Sequence, residues 1–271
     1  MKWKRWLVGD LSWQRMLKSI LFVYVCVGLY AYFGSDRMIF LPPPASYRDT
    51  PEILKLTTVD GDRISAIYLP NPTATHTLLY AHGNAEDLGQ ILPILQTLRE
   101  IGFSVFAYDY RGYGTSEGTP SERNAYEDID AAYRYLTEKL GISPSQIIAY
   151  GRSVGGGSAI DLASRKPLGG LVVESSFVTA FRVMTRIPIF PFDKFANLGK
   201  IRRVNCPVLV MHGTADEVIP FWHGKQLFDA VRAPKQALWV ENAGHNNLAE
   251  VAGDRYVTAL QGFRDTLRST P

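Results

Sequence analysis

The chain has 271 residues, of which 46% are hydrophobic, and its formal net charge is +3. The first 18 residues hold five basic side chains against one acidic side chain, so the rest of the chain carries a net charge of about −1. This balance argues against a nucleic-acid-binding protein, which needs a basic surface on its folded domain. The two cysteines, Cys26 and Cys206, lack the spacing of a structural zinc site.

Residues 1–35 differ from the rest of the chain and predict a membrane anchor. Residues 19–35 carry no charged side chain, and their length is at the short end for a helix that crosses a bilayer. Aromatic residues that favour the membrane interface lie on both sides of the run, namely Trp3, Trp6, Trp13, Tyr30 and Tyr32. Basic residues precede it, namely Lys2, Lys4, Arg5, Arg15 and Lys18. The positive-inside rule therefore predicts a single-pass protein with a cytoplasmic N-terminus and an extracytoplasmic domain.

Two other interpretations of this segment stay open. It is a signal peptide if it is cleaved near Ala31, which is a poor cleavage residue. It is otherwise a helix that lies in the membrane surface or packs on the domain.

Residues 36–271 are predicted to form one α/β domain. Asp60-Gly61-Asp62 between two apolar runs predicts a β-hairpin. After the hairpin, apolar strands alternate with amphipathic helices, which is typical of a parallel sheet covered on both faces. The predicted strands are residues 54–59, 64–69, 77–81, 104–109, 147–150, 170–174, 208–211 and 237–240, and the predicted helices are residues 91–99, 122–140, 155–165 and 254–268. The sheet is therefore expected to be mixed, mostly parallel and about eight-stranded, with ligands at the carboxyl ends of its strands.

One strand end carries a motif for nucleophilic chemistry. Gly151-Arg152-Ser153-Val154-Gly155 follows a buried strand and precedes a helix. This G-x-S-x-G pattern in that context is the nucleophile elbow of the α/β-hydrolase fold, in which a sharp turn exposes the serine hydroxyl. Glycines flank the turn because side chains there would collide. The sequence therefore predicts an α/β-hydrolase fold with Ser153 as nucleophile.

A serine hydroxyl is a weak nucleophile and needs a general base. Only His245, among the five histidines, follows the last predicted strand, and Asp216 follows the strand before it. The order Ser153, Asp216, His245 is that of α/β-hydrolases, in which the acid holds the tautomer of the imidazole. Glu217 is the alternative acid. The oxyanion is expected to be bound by the backbone N–H groups of Val154 and of Asn84, which lies in the loop after the strand at residues 77–81.

Other polar residues are expected to have structural roles. Asp109 is expected to fix the glycine-rich loop after its strand, and the acids Asp128 and Asp130 are expected on the solvated face of a helix. The remaining histidines are expected in a polar loop, in tight loops at strand ends and at the start of a surface helix; they are His76, His82, His212 and His223.

Several motifs together resemble a known group of enzymes. They are residues 81–90 (AHGNAEDLGQ), 108–114 (YDYRGYG), 151–155 (GRSVG), 210–219 (VMHGTADEVI) and 239–246 (WVENAGHN). In order and spacing they resemble the α/β-hydrolase domain-containing proteins of the protein-depalmitoylase type, over roughly residues 38–265. The resemblance implies acyl hydrolysis without a cofactor or a metal. This chain departs from that type by having an apolar segment instead of an N-terminal cysteine cluster.

The expected reaction is the hydrolysis of carboxylic esters or thioesters of lipidic acyl substrates through an acyl-enzyme. A short lid is expected at about residues 176–203, where the aromatic run at 187–195 either lines an acyl pocket or covers the edge of the sheet. Alternatives are a serine peptidase of the same fold, resembling aminopeptidases, and a ligand-binding α/β-hydrolase without turnover. Expected partners are the acyl substrate and a membrane, the latter through the N-terminal helix.

Overall fold

The computed structural model describes residues 12–268, and its contacts divide the chain into two units, one up to Ile39 and one from Phe40 onwards. Lys2, Lys4 and Arg5, on which the predicted orientation partly rests, lie outside the described residues. The same is true of the first two tryptophans of the predicted aromatic belt, Trp3 and Trp6.

The first unit contains a 22-residue helix, α1 (Trp13–Gly34), and a short helix, α2 (Asp36–Ile39). The side-chain oxygen of Ser12 caps α1 by accepting from the backbone N–H of Arg15. At 1.5 Å per residue α1 is about 33 Å long, which matches the apolar thickness of a bilayer. Its most apolar window has a mean hydropathy of 1.7 and is almost wholly exposed. By length and composition α1 is thus a candidate membrane span, as a signal sequence would also be.

The second unit is built on one eight-stranded sheet, as predicted. Its strands are β1 (Ile53–Thr57), β2 (Arg63–Leu69), β3 (Thr77–Ala81), β4 (Ser104–Tyr108), β5 (Ile147–Arg152), β6 (Gly170–Glu174), β7 (Val208–Gly213) and β8 (Lys235–Val240). The spatial order is β1-β2-β4-β3-β5-β6-β7-β8. The β1–β2 and β2–β4 pairs are antiparallel and all later pairs are parallel. The predicted mixed, mostly parallel sheet is confirmed.

Burial explains why these segments are strands. Every residue of β3, β4, β5, β6 and β7 is buried, because helices cover both faces of the central sheet. The outer strands β1 and β8 keep exposed positions. The carboxyl ends of β3, β5, β6, β7 and β8 therefore form one edge, where their loops meet.

The helices of the second unit are α3 (Leu88–Ile101), α4 (Glu122–Arg134), α5 (Gly155–Ala163), α6 (Ala180–Met184), α7 (Asn197–Ile201), α8 (Trp222–Ala230), α9 (Leu248–Ala252) and α10 (Asp254–Arg268). Helix α3 begins three residues before its predicted start because Asp87 and Gln90 form a reciprocal capping box. Helix α4 ends as an α-helix at Arg134 and continues as one π-helical turn over Tyr135–Lys139.

One expectation about polar residues was wrong. Asp128 is fully buried rather than solvated, because its carboxylate accepts from Nε of Arg111 at 2.7 Å and from the Arg111 backbone N–H at 2.9 Å. His223 lies in the first turn of the surface helix α8, as expected, and its side chain is on the buried face, where Nδ1 accepts from the backbone N–H of Val178. Asp130 is only half-buried and pairs with Arg165.

Candidate active site

Ser153 occupies a sharp turn between β5 and α5. Its φ angle is +54°, a left-handed conformation that is uncommon for a residue other than glycine. The turn is held by the Ser153 N–H, which donates to the carbonyl oxygen of Glu174 at 2.9 Å. It is held also by the hydroxyl of Ser176, which donates to the carbonyl oxygen of Ser153 at 2.8 Å. This is the geometry of a nucleophile elbow.

The flanking glycines leave no room for side chains. A methyl group on Gly155 would lie 2.1 Å from the carbonyl oxygen of Ala81, and one on Gly151 would lie 2.4 Å from the carbonyl oxygen of Gly155. The helix start is therefore pressed against β3 and the elbow, which explains the requirement for glycine at both positions.

The structure brings the three side chains selected from the sequence together. Nε2 of His245 lies 3.0 Å from Oγ of Ser153, and Nδ1 of His245 lies 2.8 Å from Oδ2 of Asp216. All three residues are buried, and each follows the carboxyl end of a different strand. A general base within hydrogen-bond reach of a hydroxyl, and oriented by a carboxylate, is the arrangement that activates serine.

The carboxylate of Asp216 is fixed on both sides. Its Oδ1 accepts from the backbone N–H groups of Val218 at 3.0 Å and Ile219 at 2.7 Å. Its Oδ2 faces His245 and also lies 3.3 Å from Nε2 of His212. Burial alone would raise the pKa of Asp216, but the hydrogen bonds from the two histidines and the backbone outweigh it and hold that pKa well below its ordinary value. The carboxylate therefore stays ionised beside the imidazole.

Glu217, the alternative acid, does not reach the imidazole in this structure. Its side chain is exposed, and Oε2 accepts from the backbone N–H of His245 at 3.3 Å. The neighbouring backbone N–H of Gly244 donates to Oδ1 of Asn247 at 2.8 Å. These two bonds fix the loop that carries His245.

Two backbone donors are available where the sequence predicted an oxyanion site. Within the described part of the chain, no hydrogen bond uses the backbone N–H of Asn84 or of Val154. The loop of Asn84 is rigid because its side-chain oxygen accepts from the backbone N–H of Leu41 at 2.9 Å and from the hydroxyl of Tyr113 at 2.6 Å. Both N–H groups can therefore serve a substrate oxygen without breaking protein hydrogen bonds.

Asp109 contacts residues on both sides of the loop that carries Asn84. Its carboxylate accepts from the backbone N–H of Leu88 at 3.0 Å and from the hydroxyl of Tyr47 at 2.5 Å, and it lies 3.2 Å from Nε2 of His82. A methyl group on Gly114 would lie 2.0 Å from this carboxylate. The aspartate thus joins the start of helix α3 to Tyr47 and lies beside His82, and its contact with the glycine-rich loop is the close approach to Gly114.

Arg152 is a buried residue of the site that the sequence argument did not select. Its guanidinium binds Glu86 in the loop after β3 and Asn246 in the loop after β8. The second position of G-x-S-x-G has no required residue type, so the motif gave no signal for Arg152.

Among residues 12–268, no group of His, Cys, Asp or Glu side chains has an arrangement that could hold a metal ion.

The predicted lid region contains α6, α7 and the loop between them. Phe181, Phe190 and Phe192 pack on one another, with ring centroids 5.4 to 6.3 Å apart. The cavity that they help to line has a volume of about 30 Å³, which holds a water molecule and not an acyl chain. Other apolar side chains of the predicted lid region are exposed, including Met184 (87%) and Ile187 (70%).

Two family models match parts of this chain. Residues 72–198 match the family described as serine aminopeptidase, S33, and residues 182–265 match the prolyl oligopeptidase family. The two matches together span the loops that carry Asn84, Ser153, Asp216 and His245.

Similar proteins are found among curated sequences and solved structures. The α/β-hydrolase domain-containing protein 17B of Xenopus tropicalis is 41% identical over 220 residues, which cover 80% of this chain and 76% of that protein. The human 17B protein is 40% identical with the same coverage. A structure of the Pyrococcus furiosus esterase Pf2001 superposes with a TM-score of 0.71 at 19% identity, covering 85% of this chain and 98% of the esterase. An esterase from Exiguobacterium antarcticum gives a TM-score of 0.61 at 15% identity, with 78% and 98% coverage.

Proposed function

This chain belongs to the family of the α/β-hydrolase domain-containing 17 proteins, and from that premise we propose that it is a serine hydrolase of lipidic esters or thioesters. Ser153 is the nucleophile, His245 the general base and Asp216 the residue that orients the base. The observation that carries this proposal is the hydrogen-bonded chain from Ser153 Oγ through His245 to Asp216 at the carboxyl edge of the sheet.

In the first half of the reaction, Oγ of Ser153 attacks the acyl carbonyl carbon while Nε2 of His245 takes the hydroxyl proton. The carbonyl oxygen becomes an oxyanion, which accepts from the backbone N–H groups of Val154 and Asn84. His245 then gives its proton to the departing alcohol or thiol, and the acyl group stays on Ser153 as an ester.

In the second half, water replaces the departed alcohol or thiol. His245 takes a proton from the water as its oxygen attacks the acyl-enzyme, and the same two N–H groups bind the second oxyanion. Ser153 leaves with the proton from His245, which releases the carboxylic acid and restores the site. No group outside the chain, other than water, is needed to balance the reaction.

The lid region supports an apolar acyl group as substrate. Its exposed side chains, Met184, Ile187 and Ile189, belong to the same segment, residues 181–192, as the phenylalanine cluster. Groups of exposed apolar residues are typical of surfaces that contact lipidic ligands. Because the cavity within the cluster is small, an acyl chain has to bind against the exposed side of this loop or separate the phenylalanine rings.

The N-terminal helix α1 supports anchoring in a membrane, with the N-terminus in the cytoplasm and the hydrolase unit on the extracytoplasmic side. Two basic residues of the predicted cluster, Arg15 and Lys18, lie in the first turns of α1. Protease added to sealed vesicles that carry the full chain, and whose cytoplasmic face is outermost, should leave the hydrolase unit intact. Digestion of the unit before the vesicles are opened would reverse the proposed orientation.

A serine peptidase is the second candidate, because both matching family models carry descriptions of peptidase families. The same serine, histidine and oxyanion donors would then act on an amide carbonyl. A substrate panel separates the two candidates: activity on aminoacyl arylamides without activity on acyl esters would favour the peptidase.

The deciding experiment is hydrolysis by the purified full chain of acyl esters, acyl thioesters, lysophospholipids and aminoacyl arylamides. A fluorophosphonate should label the protein at Ser153, and Ser153→Ala should lower kcat by at least about 10⁴-fold. Labelling or turnover that survives Ser153→Ala would refute the assignment of the nucleophile.

A further inference from the structure

We propose that Arg152 is a positioning residue that holds the oxyanion loop and the histidine loop against the nucleophile elbow. The proposal rests on the function proposed above. Arg152 directly precedes Ser153 at the end of β5, and its side chain is only 10% exposed. Arginine is almost never this buried unless its charge is paired, so the contacts of its guanidinium require an explanation.

The first contact is with the oxyanion loop. Nη1 of Arg152 donates to both carboxylate oxygens of Glu86, at 2.9 and 3.0 Å. Oε1 of Glu86 also accepts from the backbone N–H of Gly83 at 2.5 Å. Glu86 thereby closes the loop of residues 83–86. The backbone N–H of Gly83 is used in this hydrogen bond, while that of Asn84 stays available for a substrate oxygen.

The space at Gly83 supports this arrangement. A methyl group on Gly83 would lie 2.8 Å from Oε1 of Glu86 and 3.3 Å from Nη1 of Arg152. Glycine therefore lets the ion pair approach the loop backbone. The position of the Asn84 N–H thus depends on a guanidinium that belongs to the residue before the nucleophile.

The second contact is with the histidine loop. Nη2 of Arg152 donates to Oδ1 of Asn246 at 2.7 Å, and Asn246 directly follows His245. The guanidinium is planar and rigid, so its two outer nitrogens hold Glu86 and Asn246 at a fixed separation. The Arg152 side chain therefore helps to set how far the proposed oxyanion donor, Asn84, and the proposed general base, His245, lie from Ser153.

The third contact prevents a net positive charge beside the nucleophile. Nε of Arg152 lies 3.6 Å from Oε1 of Glu174, whose own carbonyl oxygen accepts from the N–H of Ser153. With two carboxylates close by, the guanidinium is compensated and has little reason to bind an anionic substrate itself. The arrangement favours positioning over direct substrate binding.

The test compares Arg152→Met with Arg165→Met. Arg165 is a matched control because it also bridges two carboxylates, those of Asp130 and Asp161, but lies beyond the end of α5 and away from the site. With p-nitrophenyl butyrate as probe, Arg152→Met should lower kcat by about 10- to 100-fold, because displacement of catalytic groups by about 1 Å costs up to that much. Its KM should change less than threefold, and Arg165→Met should keep kcat within twofold. Fluorophosphonate titration corrects each kcat for the fraction of competent sites.

Two further variants test the geometry. Arg152→Lys keeps the charge but cannot bind Glu86 and Asn246 with one planar group, so its kcat should lie between those of the wild type and Arg152→Met. Asn246→Ala removes one contact and leaves the buried ion pair, so it should lower kcat by a few-fold without raising KM. It also decides the matter if Arg152→Met does not fold.

Three results would overturn the proposal: an unchanged kcat in Arg152→Met or in Asn246→Ala, a raised KM with kcat unchanged, or an equal loss of kcat in Arg165→Met. Turnover by the wild type that Ser153→Ala does not abolish would instead refute the proposed function, and the positioning role with it. Wild-type turnover that depends on Ser153 but not on Arg152 refutes the positioning role alone.

Discussion

Replacing Asp216 with asparagine should disable the base while leaving the fold intact. Oδ1 of Asp216 accepts from two backbone N–H groups, those of Val218 and Ile219. An asparagine has one acceptor oxygen, and that oxygen must take the place of Oδ1 to keep both bonds. The amide NH₂ group then faces Nδ1 of His245, at the position where Oδ2 lay 2.8 Å away.

The consequence is a reversal of the histidine tautomer. Facing an NH₂ donor, Nδ1 of His245 becomes an acceptor, so the ring proton moves to Nε2. Nε2 then donates towards Ser153 Oγ, 3.0 Å away, and cannot take its proton. The equivalent change in a serine protease costs about 10⁴ in kcat, or about 5.5 kcal/mol in the barrier, and a loss of that order is expected here.

The assay is the steady-state hydrolysis of p-nitrophenyl butyrate by Asp216→Asn, with Glu217→Gln as the neighbouring control. Among residues 12–268 the Glu217 side chain hydrogen-bonds only to the backbone N–H of His245, and glutamine keeps an acceptor oxygen for it, so Glu217→Gln should lower kcat less than tenfold. Thermal unfolding should show both variants folded. A loss in Glu217→Gln as large as that in Asp216→Asn, or less than about 100-fold in Asp216→Asn, would refute the assigned acid and the argument from amide orientation.

Two predictions concern stability. Gly155→Ala should destabilise the fold by about 3 kcal/mol or more, because its methyl group meets the Ala81 backbone at 2.1 Å. As a control, Gly262→Ala should stabilise the fold by about 0.5–1 kcal/mol, because the space around this position of helix α10 is open. Equal urea midpoints for the two variants would contradict the prediction. His223 has its pKa lowered to about 4, first by burial and then by repulsion from His212 and Arg182. Between about pH 6.5 and pH 4 the unfolded chain therefore binds a proton at His223 that the folded chain does not bind. The free energy of unfolding should keep its full value above about pH 6.5 and fall as the pH decreases. His223→Gln should reduce that fall by about 1–3 kcal/mol, and an unchanged dependence on pH would refute the prediction.

The central sheet was predictable from the sequence because its strands are buried on both faces. Strands β3 and β6 have the predicted bounds, since each centres on a short apolar run with polar residues or glycine close to both ends. The outer strand β8 begins two residues before its predicted start, at Lys235, where half-exposed side chains give no apolar signal. The residues of the candidate triad were selected on a related basis, because each lies in the segment that follows a predicted strand.

The misassignment of Asp128 shows what the sequence pattern does not reveal. Asp128 and Asp130 are two residues apart on a helix, so they point in directions about 200° apart and cannot share one solvated face. The spacing therefore already placed one of them towards the interior. The identity of its partner was not accessible in the same way, because Arg111 comes from a loop 17 residues earlier in the chain.

The contacts of Arg152 could not be predicted from the sequence for a different reason. Its partners, Glu86 and Asn246, are 66 and 94 residues away in sequence, and only the parallel order of the strands brings their loops to one edge. The left-handed φ of Ser153 is a strained conformation of the kind that costs about 1–3 kcal/mol and persists only where surrounding contacts over-determine it. The hydrogen bonds that hold this turn come from Glu174 at the end of β6 and from Ser176 just after it. The side chain at position 152 also reaches the two loops that carry the proposed oxyanion donor and the proposed base. In the proposed site, a position of the G-x-S-x-G motif that has no required residue type thus joins the elbow of Ser153 to the loops of Asn84 and His245.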